Sequence, residues 1–178
     1  MPKRGQLRVL LGAAPGVGKT FTMLEEGRRL LKDGTDVVVG IVETHGRTAT
    51  AAATEGIPAV ARTRIEHRGI ALEEMDLEAV LRRKPATALV DELADPNAPG
   101  SSNVKRWQDV EELLAAGIDV ISTLNIQHIE SLNDVVEQIT GVPQQETVPD
   151  RFLREADQIE VIDLAPQALR DRLAGGVV

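Results

Sequence analysis

The chain has 178 residues, 42% of them apolar and 27% charged, which is ordinary globular usage at a length suited to one well-buried core. It has no cysteine, which excludes disulfides and thiolate chemistry, and its three histidines (His45, His67 and His128) lack the spacing of zinc ligands. A formal charge of -8 argues against broad binding to nucleic acid or to an anionic membrane. Lys3, Arg4 and Arg8 precede an apolar stretch as they would in a secretory leader, but Pro15 and the surrounding glycines interrupt it. No apolar run approaches the roughly 20 residues needed to span a bilayer. The expectation is a single cytoplasmic domain over 1–178, with no nucleic-acid partner and no direct insertion into a membrane.

Leu7, Val9, Leu10 and Leu11 form a short apolar run that ends in Gly12 and reads as a strand. From Thr20 onward Phe21, Met23, Leu24, Gly27, Leu30 and Leu31 recur at helical spacing up to a stop at Gly34. Ala13-Ala14-Pro15-Gly16-Val17-Gly18-Lys19-Thr20 lies between them, so the order is strand, glycine-rich loop, helix. Such a loop directs backbone N–H groups and the positive end of a helix dipole at phosphate. Gly16 and Gly18 let the main chain approach the phosphate oxygens, Lys19 supplies charge to the β- and γ-phosphates, and the Thr20 hydroxyl is a Mg2+ ligand. The strict pattern has glycine where this chain has Ala13, the mildest replacement available. The plainer alternative is a glycine-rich turn with a solvated Lys19.

Val37 to Val42 is a continuous run of the kind buried on both faces in a parallel sheet. It ends at Glu43-Thr44-His45-Gly46, where Glu43 or Thr44 is placed to reach phosphate at a strand's carboxyl end, unless the segment is only a turn. Residues 48–56 read as a weak short helix, Thr63 to Leu72 as a small hairpin turning at Arg68-Gly69, and Leu77 to Leu81 as the start of a helix that Pro85 separates from the next strand. Ala88-Leu89-Val90-Asp91-Glu92 is an apolar strand ending in two carboxylates. Alternation along a strand sends these to opposite sides, with Asp91 holding the magnesium shell and Glu92 acting as general base toward an attacking water. A helix cap or solvated turn is the alternative.

Residues 95–103, rich in proline, asparagine and serine, read as a mobile loop over the site. Lys105, Arg106 and Trp107 open an amphipathic helix through Val110, Leu113 and Leu114 to Gly117. Arg106 is either a phosphate contact, here or across a subunit interface, or a solvated cation beside a packing Trp107. Ile118 to Thr123 is a strand, followed by a helix carrying Ile129, Leu132, Val135, Val136 and Ile139. Asn125 and Gln127 between them either sense phosphate and position water or cap that helix. Pro143 and Pro149 punctuate a linker, Arg151 to Ala156 is a short helix, Ile159 to Leu164 a last strand, and Pro166 to Leu173 a closing helix. The alternation gives an α/β fold of P-loop NTPase type, a mainly parallel sheet sandwiched by helices with a small hairpin insertion.

The strings GAAPGVGKT, VVVGIVETHGR, LVDELA, NAPGS, KRWQDVEELLAAGIDV and LNIQHIESLNDVVEQITGV resemble the amino-terminal cytoplasmic domain of the KdpD potassium-sensing histidine kinases over nearly the whole chain. The resemblance implies an ATP-binding regulatory domain using ATP and Mg2+, with 13–20 and Phe21 around the nucleotide and Thr20 and Asp91 at the metal. It implies as partners a sensor kinase core, a response regulator or a second copy of the chain. The family's phosphoacceptor histidine and kinase lid lie in a core not found in these residues, so at most slow ATP hydrolysis through Glu92 is expected. Where the family continues LVDELA with His-Thr, and NAPGS with a basic residue and histidine, this chain has Asp95-Pro96 and Ser102-Asn103. The loop thereby loses positive character. The alternatives are a free-standing Mg-dependent ATPase or phosphotransferase, and a dimerisation module with a vestigial loop.

Overall fold

The computed structural model describes residues 3–13, 17–43, 54–132, 138–139, 141 and 146–163. The apolar runs become strands β1 (Leu7–Gly12), β2 (Val37–Ile41), β5 (Thr87–Val90), β6 (Asp119–Asn125) and β7 (Gln158–Ile162). They form one parallel sheet in the order β2-β5-β6-β1-β7. Strands β3 (Thr63–His67) and β4 (Ile70–Glu74) make a separate antiparallel hairpin whose register pairs His67 with Ile70 across the Arg68-Gly69 turn. The helices are α1 (Lys19–Lys32), α2 (Leu77–Arg83), α3 (Arg106–Ala115) and a short α4 (Asp150–Arg154).

Alternation along the buried strands gives the sheet two apolar faces, each needing a helical cover. On one, Val9, Val38, Val90 and Val120 pack in a cluster with Val80 of α2, Trp107, Val110, Leu113 and Leu114 of α3, and Phe152 of α4. On the other, Leu10, Val39, Leu89 and Ile121 cluster with Met23 and Leu24 of α1. The Trp107 and Phe152 rings lie 5.6 Å apart, which joins α3 to α4. Asp76 caps α2 by accepting from Ala79 N–H, and the Gln108 side chain accepts from Lys105 N–H at the start of α3.

The structure corrects the sequence in three places. Residues 126–132 form two 3-10 turns, Ile126–His128 and Glu130–Leu132, where a helix carrying Ile129 and Leu132 is expected. Ile129 between them makes a parallel bridge to Val148, and a spacing of three suits a 3-10 turn as well as an α-helix. Second, β5 stops at Val90, before the carboxylate pair. Third, the 95–103 segment is pinned rather than loose. Pro96 bridges Lys105, Asn97 N–H donates to Val104, and the Asn97 and Asn103 amides both donate to the buried Asp109. The expected helices at 48–56, beyond residue 53 only a turn, and at 166–173 fall wholly or largely outside the described residues, as do Val135 and Val136. Among the described residues no helix is long and apolar enough to cross a membrane.

Candidate functional site

β1 carries the 13–20 loop, and α1 begins at its end. Gly18 sits at φ 95, a left-handed conformation that favours glycine, and turns the chain into the helix. Lys19 and Thr20 are its first two residues, 6% and 5% exposed. Val17 is buried, Ala13 and Phe21 are exposed, and Ala14, Pro15 and Gly16 lie outside the described residues. At Gly12 a Cβ would meet Lys19 Cδ at 3.0 Å, Val17 Cγ2 at 3.1 Å and Asn125 Oδ1 at 3.3 Å. Lys19's stem therefore lies across the glycine that ends β1.

The end of β5 meets this loop. Thr20 Oγ1 donates to both Asp91 oxygens, at 3.0 and 3.2 Å, and Thr123 Oγ1 donates to Asp91 Oδ1 at 2.5 Å. Glu43 N–H donates to Oδ2 at 3.0 Å. Asp91 is fully buried, and burial raises its pKa. The Thr123 hydrogen bond and the Glu43 N–H pull it back, while neighbouring Glu92 pushes it further up. Glu92 follows at φ 56, and its carboxylate stands 3.8 Å from Lys19 Nζ. The two carboxylates thus both reach the loop, against the alternation expected of a strand, because β5 has ended and the left-handed turn at Glu92 redirects the chain. Thr123 holds that turn: its hydroxyl accepts from Glu92 N–H at 2.8 Å and its carbonyl accepts from Leu93 N–H.

Arg106, at the start of α3, is 3% exposed, which rules out the solvated cation; Trp107 beside it packs in the core as expected. Its guanidinium donates to the Asp91 carbonyl at 2.8 Å and lies 3.5 to 3.7 Å from Asp95, Glu74 and Glu43. Burial raises the Asp95 carboxyl to about 6, although Arg106 opposes the shift. Glu74 also accepts from Ala98 N–H, which ties the hairpin to the 95–103 segment. Between those two elements lies a cavity of about 270 Å³ lined by Thr63, Ile65, Glu74, Asp76, Ser101 and Asp109, separate from Lys19 and Asp91.

The structure therefore brings Lys19, Thr20, Glu43, Asp91 and Glu92 together, with Arg106 behind them. Asn125 is buried at the end of β6 beside Gly12, and Gln127 is half-buried on the first 3-10 turn. Thr44 lies outside the described residues. Sequence reasoning passed over Thr123 and Glu74. Thr123 had one signal, since Ser122 and Thr123 are hydroxyls inside a strand otherwise apolar enough to be core. Chemically, the arrangement offers a buried ammonium for an anion and a hydroxyl with a carboxylate for a hard cation. Among the described residues no group of three or more His, Cys, Asp or Glu stands ready to hold a metal unaided.

The chain as a whole is similar to known proteins. The family described as "Osmosensitive K+ channel His kinase sensor domain", KdpD, matches residues 3–178. The chain is 62% identical over 176 residues to the sensor protein KdpD of Mycobacterium tuberculosis (strain ATCC 25618 / H37Rv), covering 99% of this chain and 20% of that protein. It is 55% identical over 177 residues to the sensor protein KdpD of Escherichia coli (strain K12), covering 99% and 20%. With that of Rathayibacter rathayi it shares 62% over 172 residues, covering 96% and 20%. The chain spans about a fifth of the length of these relatives.

Proposed function

The chain belongs to the KdpD sensor-domain family, and from that premise we propose that it is a P-loop module that binds Mg-ATP and modulates signalling by a potassium-responsive two-component sensor kinase. The observation that carries this reading is the hydrogen bond from Thr20 to Asp91. It joins two segments far apart in the chain, beside a buried Lys19, in the combination of cation, hydroxyl and carboxylate that a metal-bound triphosphate needs. In this reading the 13–20 backbone and Lys19 hold the phosphates, and Phe21 borders the nucleotide.

Thr20 and Asp91 fit Mg2+ as hard oxygen donors that are too few to form a cage, since this ion keeps waters and takes further ligands from phosphate. The ion neutralises charge on the phosphates. Glu92, held beside Lys19, accepts a proton from water in a slow hydrolysis that resets the module. Arg106 sits behind Asp91 and relates nucleotide occupancy to the hairpin through Glu74, a route to a kinase core, a response regulator or a second copy. Titration of the purified chain with Mg-ATP by calorimetry tests the reading, with Lys19→Ala as its control. Saturable binding, lost in the variant, is expected; no saturable heat from the unmodified chain would overturn the nucleotide reading, and equal binding by both proteins would take the phosphate contact away from Lys19.

A further inference from the structure

Asn125 presents a buried acceptor that is unmatched among the described residues. The residue is 8% exposed, and its Oδ1 has no hydrogen-bond partner among the described residues. Buried polar atoms are nearly always paired, so an orphan beside a candidate site points to a group that arrives with the ligand.

The topology says where that group sits. β6 lies between β1, which carries the loop, and β5, which delivers Asp91 and Glu92. Asn125 is in register with Gly12, and its Oδ1 borders the same space as Lys19 Cδ and Val17 Cγ2. Two residues earlier on β6, and so on the same face of the strand, Thr123 contacts Asp91 and the Glu92 backbone. The amide is thus set between the loop and the carboxylates.

We propose that Asn125 is a positioning residue whose Oδ1 accepts a hydrogen bond from the water that attacks the terminal phosphate of a bound nucleoside triphosphate. This inference rests on the phosphate-binding reading above. A carbonyl oxygen repels ionised phosphate oxygens, so its partner must bring a proton. Water turns a lone pair toward phosphorus when acceptors hold both of its O–H groups. Glu92 takes one and Asn125 the other. As the water oxygen bonds to the terminal phosphorus, the bond from phosphorus to the bridging oxygen breaks and its electron pair stays on the nucleoside diphosphate. The water's proton passes to Glu92, and the products are the diphosphate, inorganic phosphate and, once Glu92 releases it, a proton.

The test compares the unmodified chain with Asn125→Ala, Asn125→Ser and Lys19→Ala, measuring phosphate release at saturating Mg-ATP and calorimetric binding of Mg-ADP. Asn125→Ala should lower release about 10- to 100-fold while the Mg-ADP Kd stays within about twofold. Asn125→Ser, which keeps an acceptor oxygen, should recover most of the rate, and it decides the matter if the alanine variant melts early. Unchanged release in Asn125→Ala, or equal loss of release and Mg-ADP binding in both Asn125 variants, would overturn the proposal. An unmodified chain that binds Mg-ADP, with binding lost in Lys19→Ala, yet releases no phosphate would overturn it and leave nucleotide binding standing. Absence of Mg-ADP and Mg-ATP binding by the unmodified chain would remove the reading on which both rest.

Discussion

Two arginines answer carboxylates at opposite ends of the sheet. Arg83, closing α2, meets Asp36 before β2 in a bidentate pair with both contacts at 2.7 Å, and both side chains are over 40% exposed. Arg106, at the carboxyl end of β5, is almost fully buried and holds three carboxylates no closer than 3.5 Å. By geometry alone Arg83 makes the better bridge. Burial reverses the ranking, because water replaces an exposed partner at little cost while a buried carboxylate deprived of its cation has nothing to replace it.

Removing each partner separates the two cases. Arg106→Met should cost about 3–5 kcal/mol in urea unfolding, because Glu74 and its neighbours lose their counter-charge in a closed environment. A loss no greater than that of a surface variant would show that burial does not set the worth of these ion pairs. Asp95→Asn should act in the opposite direction. Its folded pKa of about 6 lies above the ordinary 3.8, so the native state binds the proton more tightly and stability falls as pH rises between these values. The variant escapes that cost. Allowing for the side chain's 35% exposure, it should gain about 1 kcal/mol near neutral pH, with the gain shrinking as pH falls through 6 toward 4. A gain independent of pH would place the effect elsewhere. The smallest effect is expected of Arg83→Ala, whose melting temperature in high salt should match that of the unmodified chain. A clear loss there would show that bidentate geometry outweighs exposure.

The same contrast explains what was legible before the structure. Strands β1, β2, β5 and β6 and helices α1 and α3 could be read because an apolar period is written locally, and the chain joins Lys19 and Thr20 to a glycine-rich loop. The Arg106 network could not. Its partners Glu43, Glu74 and Asp95 come from three segments, and no period in a sequence marks an ion pair between distant turns. Ile129 and Leu132 misled for a different reason, since their spacing fits two kinds of helix and only the bridge to Val148 decides between them. Asp91 and Glu92 were recognisable as a pair, but the left-handed residue that turns both toward the loop leaves no trace in a glutamate.

The strand order also governs how this chain must be made. Of the five strands of this sheet β1 leaves the ribosome first, yet its neighbours are β6 and β7: Gln6 bonds a residue 113 positions later, and Leu7 one 150 positions later. Until those strands are synthesised, Leu7, Val9 and Leu10 have no sheet to join. Contacts so distant close slowly, and an unpaired apolar strand is an invitation to aggregate. Truncations that stop short of β7 would therefore leave one side of β1 bare, and the segment that carries Lys19 is the one whose fate waits on a strand made some 150 residues later.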